Sequence, residues 1–177
     1  MKKGMKRIIA TLALAVVFHL AAVAVLPRAI MTFVSWKARQ IYNAPVNSAI
    51  HPPRVTADQQ SIVMPCPDLL YTLCVYDVSQ NPLRIKVPAP QDTYFSVAMY
   101  AANTDNFFIV NDQQLLKDGR EILLIKKGGR VPGSEKDRVV EAPTAQGIIL
   151  CRTLIAEEDK LEDMIRIQHG VIITPVQ

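Results

Sequence analysis

No acidic side chain occurs before Asp58, although that stretch carries Lys2, Lys3, Lys6, Arg7, Arg28, Lys37, Arg39 and Arg54. From Asp58 onward twelve basic side chains stand against sixteen acidic ones, so the net charge of +4 joins a basic leader to a mildly acidic remainder. Binding to nucleic acid needs a basic patch on the folded part, which this balance disfavours, and no nucleic-acid partner is expected. Cysteine is also scarce: Cys66, Cys74 and Cys151 are the three present, with His19, His51 and His169 scattered among them. Seven residues separate Cys66 from Cys74, which fits no zinc spacing, so no metal and no cofactor are expected. The glycine-rich loop Lys126-Lys127-Gly128-Gly129-Arg130-Val131-Pro132-Gly133 lacks the Gly-x-x-x-x-Gly-Lys-Ser/Thr spacing of a phosphate loop. It reads as a solvated turn, with a backbone cradle for an anion as the alternative. At 177 residues the chain holds one domain with accessories.

What is present begins with a short basic head, Met1–Arg7, followed by Ile8–Leu26. In those 19 residues only Thr11 and His19 are polar. As a helix the run covers roughly 28 Å at ~1.5 Å per residue, close to the hydrocarbon thickness of a bilayer. A retained membrane anchor and a signal peptide cleaved after Ala22-Val23-Ala24 both fit; the length favours the anchor, since signal cores run to about 7–15 residues. A basic head before an apolar run is the usual export arrangement, so the chain is expected to cross the inner membrane once with its C-terminal domain in the periplasm. Residues 1–28 are therefore head and transmembrane helix.

Residues 29–60 form a neck. Ile30, Phe33, Val34 and Ile41 keep helical spacing with Lys37 and Arg39 off that face. Trp36 and Tyr42 suit a membrane interface; packing of the helix on the domain is the other reading. Asn43-Ala44-Pro45 should end it, and His51-Pro52-Pro53-Arg54 reads as an extended, exposed tether.

Residues 61–177 read as the folded domain. Ser61–Met64 leads into Pro65-Cys66-Pro67-Asp68-Leu69-Leu70-Tyr71-Thr72-Leu73-Cys74-Val75-Tyr76-Asp77, whose two apolar faces suggest a central strand covered on both sides. Leu83, Ile85 and Val87 alternate with Arg84 and Lys86, as in a strand with one wet face. Tyr94–Tyr100, Phe107–Val110, Glu121–Ile125, Val139-Val140, Gly147–Ile155 and Val171–Ile173 complete the strands. Only Ala156–Gln168 reads as helix, with Leu161, Met164, Ile165 and Gln168 on one face and Glu157, Glu158 and Asp159 at its N-terminal end. The expected class is mostly β: a β-sandwich-like domain with one C-terminal helix, preceded by a single N-terminal transmembrane helix.

Chemistry is thinly marked. An odd number of cysteines leaves any disulfide pairing open, and Cys74 and Cys151, both mid-strand, read as buried thiols. A Cys66 nucleophile with His169 as base is conceivable without local support. Asp68 and Arg152 stand out as lone charges within apolar runs. The structural reading is that they bond each other or turn backbone, so that Asp68→Ala would cost roughly 3 kcal/mol or more. The functional reading is the polar floor of a pocket, with Tyr71, Asn103 and Asn106 nearby.

Several of these residues carry a resemblance. Pro67-Asp68-Leu69-Leu70-Tyr71, Pro82, Pro88, Tyr94-Phe95-Ser96, Asn103-Thr104-Asp105-Asn106-Phe107-Phe108, Arg152-Thr153 and Ile173-Thr174-Pro175 resemble the pattern of the bacterial family called domain of unknown function 1254, over roughly residues 51–177. Cys66 and Leu69 stand where longer members resemble Asn-x-Asp-Thr-Leu-Tyr. The resemblance implies a β-rich fold and no established activity. Longer members continue into a second domain, of unknown function 1214, which implies a separate protein of that kind as a partner here. The expected function is an envelope binding or assembly module anchored through Ile8–Leu26. The alternative is an envelope enzyme or small-ligand carrier with a pocket around Asp68, Tyr71 and Arg152.

Overall fold

The computed structural model describes residues 3–56, 65–131 and 138–176. The Ser61–Met64 run and the Pro132-Gly133 end of the basic loop lie outside the described residues. A single helix, α1 (Lys3–Tyr42), takes in the whole apolar leader and most of the neck. Its 40 residues extend about 60 Å at ~1.5 Å each. The helix continues through Pro27, so leader and neck share one uninterrupted element. A proline there removes the donor that would reach the Val23 carbonyl. Side chains on adjoining turns bond the backbone around that gap: Arg28 Nη1 donates to the Ala24 carbonyl (2.7 Å), and Thr32 Oγ1 to the Arg28 carbonyl (2.8 Å). Such local bonding is how apolar helices tolerate proline. The helix does stop where expected: Asn43 turns to φ 45° and Pro45 follows.

The neck helix presents two faces. Met31 and Ala38 are buried with half-buried Ser35 between them, a spacing of four and three that puts them on one side against the domain. Ile30, Phe33, Val34, Trp36, Ile41 and Tyr42 are exposed. The residues that pack on the domain are thus a second stripe, and the apolar stripe read from the sequence faces outward.

Among the described residues eight strands build two sheets of four. The first, in the order β1 (Leu69–Asp77), β7 (Gln146–Leu154), β3 (Phe95–Ala101), β4 (Asn106–Asn111), is antiparallel throughout. The second runs β6 (Arg138–Ala142), β5 (Glu121–Lys126), β2 (Leu83–Lys86), β8 (Ile172–Pro175), with β5 and β6 parallel. On β2, Leu83 and Ile85 are fully buried while Lys86 is exposed, as alternation requires.

β1 is an edge strand, which corrects the expectation of a central one. Its backbone groups still find partners, because residues 46–54 lie along it as a strap. Ile50 exchanges two backbone hydrogen bonds with Leu73 (2.8 and 2.9 Å), and Asn47 N–H donates to the Val75 carbonyl (2.9 Å). The Asn47 side chain also accepts from Asp77 N–H (2.6 Å) and donates to the Asp77 carbonyl (2.9 Å). An edge closed this way needs the apolar composition of an interior strand, which is why the sequence read as one.

Both sheets feed one core: Tyr76, Phe95, Val97, Met99 and Ile149 from the first and Leu83, Ile85, Ile122 and Leu124 from the second. Gly147 permits the tightest approach in it, since a Cβ there would lie 2.1 Å from the Tyr100 carbonyl oxygen and 2.6 Å from the Tyr76 hydroxyl. α3 (Leu161–His169) follows a short 3-10 turn (Glu158–Lys160) and seats Met164 against Leu70 and Ile155. A further helix, α2 (Asp112–Asp118), was not anticipated. Asn111 caps it, its side chain accepting from Gln114 N–H while Gln114 returns a bond to Asn111 N–H.

Candidate functional site

Strand register brings together part of the predicted polar cluster. Tyr71 lies opposite Arg152 across β1 and β7, and Ser96 lies opposite Arg152 across β7 and β3. Their sequence neighbours Leu70, Cys151, Phe95 and Val97 are buried. Alternation therefore sends Tyr71, Arg152 and Ser96 to the outer face of the first sheet, away from the shared core.

Arg152 is half-buried, and its Nη2 reaches the Tyr100 hydroxyl at 3.5 Å, a long and weak contact. Among the described residues no carboxylate bridges to it. Beside it Ser96 is 1% exposed and its Oγ has no hydrogen-bond partner. The Tyr71 hydroxyl is occupied, accepting from Cys66 N–H (2.9 Å) and so holding the turn that enters β1. Leu73 and Leu150 continue this outer face half-buried, and Ile109 stands 60% exposed on β4. The sheet thus shows aliphatic and tyrosyl surface around one guanidinium.

The remaining predicted members are elsewhere. Asp68 is exposed in the turn before β1; its carbonyl accepts from Ile155 N–H (2.8 Å), and its carboxylate does not meet Arg152. The proposed buried pair is therefore absent. Asn103 sits in the β3–β4 hairpin, bonded to the Asp105 carboxylate, and Asn106 lies opposite Tyr100. Among the described residues neither asparagine side chain bonds Arg152, whose one side-chain contact is with Tyr100. Ser96, Tyr100, Leu150 and Ile109 were missed. The signal for them was the alternation Ser96, Ala98, Tyr100 against buried Phe95, Val97 and Met99.

His51 is also not as expected. It is half-buried, not exposed, and stacks on His169 at the end of α3 with ring centroids 4.6 Å apart. Its Nδ1 is 3.0 Å from Thr72 Oγ1, and Gln168 Nε2 donates to the Pro52 carbonyl (2.9 Å) and the Tyr71 carbonyl (2.7 Å). Arg54 completes the strap's attachment, donating to the Pro67 carbonyl (2.8 Å) and pairing with Glu158 (2.6 Å). Burial and the neighbouring His169 both hold His51 below the usual histidine range. His169 is thus engaged with the strap and makes no pair with exposed Cys66.

Two cavities bear on ligand binding. One of about 430 Å³ opens between the Pro88–Thr93 connection, Arg120 and α3. Another of about 180 Å³ lies where α1 meets the ends of β1 and β7, near Ser35, Val75 and Gln146. Neither includes Asp68, Tyr71 or Arg152. Arg152 instead marks an open sheet face.

The sequence matches the family model described as "Protein of unknown function (DUF1254)" over residues 46–175. Comparison with curated proteins gives no match. Among solved structures, the VPA0106 protein of Vibrio parahaemolyticus is similar, with a TM-score of 0.66 at 13% identity over 89% of this chain and 40% of that one. An uncharacterised protein from Burkholderia cenocepacia matches with a TM-score of 0.49 at 13% identity, over 84% of this chain and 40% of the other. The chain thus spans about 40% of the length of the solved structures it resembles.

Proposed function

The chain belongs to the DUF1254 family, and we propose that it acts as a single-pass inner-membrane protein whose periplasmic domain is a binding or assembly module. The observation that carries the reading is the apolar half of α1: the most apolar 18 residues have none of their number buried in the protein. An apolar helix left uncovered by its own chain calls for another apolar medium, and a bilayer supplies one of matching thickness. The outward stripe of Phe33, Trp36 and Tyr42 would then lie where aromatic side chains meet headgroups.

The two sheets sharing one core are taken as a sandwich that carries no reaction of its own. A separate protein resembling domain of unknown function 1214 is the proposed partner, tethered to the same membrane so that even a weak interface stays occupied. Two measurements test the topology. The full chain should stay in the membrane fraction after a carbonate wash, and a reporter fused after Gln177 should be active only when exported. A soluble chain beginning near Val25 would replace the anchor with a cleaved signal. A reporter active only in the cytoplasm would overturn the orientation.

A further inference from the structure

On the outer face of the first sheet Ile109 is exposed and Tyr71, Leu73, Leu150, Arg152 and Tyr100 are half-buried, while the other end of that face meets α1. Resting on the reading of this domain as a binding module, we propose that this face docks another polypeptide, which presents an apolar segment carrying one carboxylate to Arg152.

Tyrosine and arginine, both enriched at interface centres, make up three of the six, and lysine, which is depleted there, is not among them. Charge argues for the carboxylate. A half-buried guanidinium offers a planar fork of donors, and this one makes a single long bond to the Tyr100 hydroxyl. The buried, unpartnered Ser96 Oγ beside it adds a second polar group that the fold leaves unmet. Two acidic groups, at the end of β1 and the start of α2, are already used. Asp77, at the α1 end, accepts from Gln146 Nε2 (2.7 Å), and Asp112 accepts from Phe95 N–H (3.3 Å).

The same charge argues against the two other occupants. A two-fold pairing of identical copies sets a patch against itself and would bring two Arg152 guanidinium groups together with no acid between them. A bilayer surface would gain only about 1 kcal/mol from one cation, and stable surface binding takes more basic groups than this face has.

The test uses the full-length protein in intact cells. A photo-crosslinking amino acid is placed at Ile109, with Lys86, exposed on the second sheet, as the control position. The expected product is a crosslink from position 109 and not from 86, to a peptide of another protein that holds Asp or Glu among apolar residues. Arg152→Glu should reduce it at least about tenfold, as reversal of a central charge contact does. Changing the captured acid to Arg should restore it in the Arg152→Glu background alone. Crosslinks to this chain itself, crosslinks to lipid, no crosslink, or capture indifferent to Arg152→Glu would each overturn the proposal. Fractionation of the same cells reports separately on anchoring: loss of the membrane pool undoes the topology, whereas an intact pool without the crosslink undoes only the docking face.

Discussion

Cys74 and Cys151 lie diagonally across β1 and β7, sealed in the core, while Cys66 is exposed before β1. Burial pushes the Cys74 thiol up to about 12, and burial together with Cys74 raises Cys151 further. The thiolate is the reactive form, so native protein should take up one equivalent of a thiol reagent, at Cys66, and three after denaturation. Uptake of three by the native protein would show that the sheet does not close over the pair. Charge, unlike thiols, had to be placed by register. Asp68 and Arg152 each stood alone in an apolar run. Asp68 falls in a turn beside Pro67, where its side chain meets water, and Arg152 falls mid-strand on the open face. Asp68→Ala should therefore move stability by no more than about 0.5 kcal/mol, read as thermal unfolding, in place of the roughly 3 kcal/mol that a buried pair implies.

Among the elements, strands with strict alternation were readable because burial on one face leaves the period visible: Leu83, Ile85 and Val87 all lie where the pattern puts them. Two elements were not. α2 has seven residues, too few for a helical stripe, and its only local mark was Asn111 followed by Gln114, a capping box. β1 was mistaken for an interior strand because the residues that cover its edge, Asn47 and Ile50, come from a segment that read as tether. No periodicity announces a strap that pairs for a few residues. The strap carries a pH dependence of its own. His51 is held below its ordinary 6.5 by burial and by His169, so the folded state favours the neutral ring. The stabilisation is present above pH 6.5 and is lost as pH falls toward the depressed folded value. Protection factors at Ile50 and Leu73, with the intrinsic pH dependence of amide exchange divided out, should fall between pH 7 and pH 5, and His51→Gln should flatten that change. Protection factors unaffected by pH in both proteins would separate the histidines from the strap.

For the molecule as a whole, the mostly β class, the long apolar helix and most strand positions could be read in the chain. The pairing of strands into two sheets could not, since β1 joins β7 and β2 joins β8 across about 70 residues or more. The polar cluster dispersed for the same reason: proximity in an antiparallel sheet is set by register, which a linear pattern does not state. What remained was Tyr71 beside Arg152, on a face whose other members only the folded sheet could identify.

The strap also decides what kind of mount the domain has. Fourteen unpinned residues from Asn43 to Thr56 would act as a leash, letting the domain roam about 20 Å from the end of α1. Pinned through Asn47, Ile50, Gln168 and Arg54, the same residues become a bracket. With α1 in a bilayer, as proposed, height above the membrane and compass bearing would both be set by that helix, and a rotation of it would turn the Arg152 face as well. A neighbour anchored in the same membrane would meet that face at one elevation and one heading, so the search for the docked pose is confined to a plane.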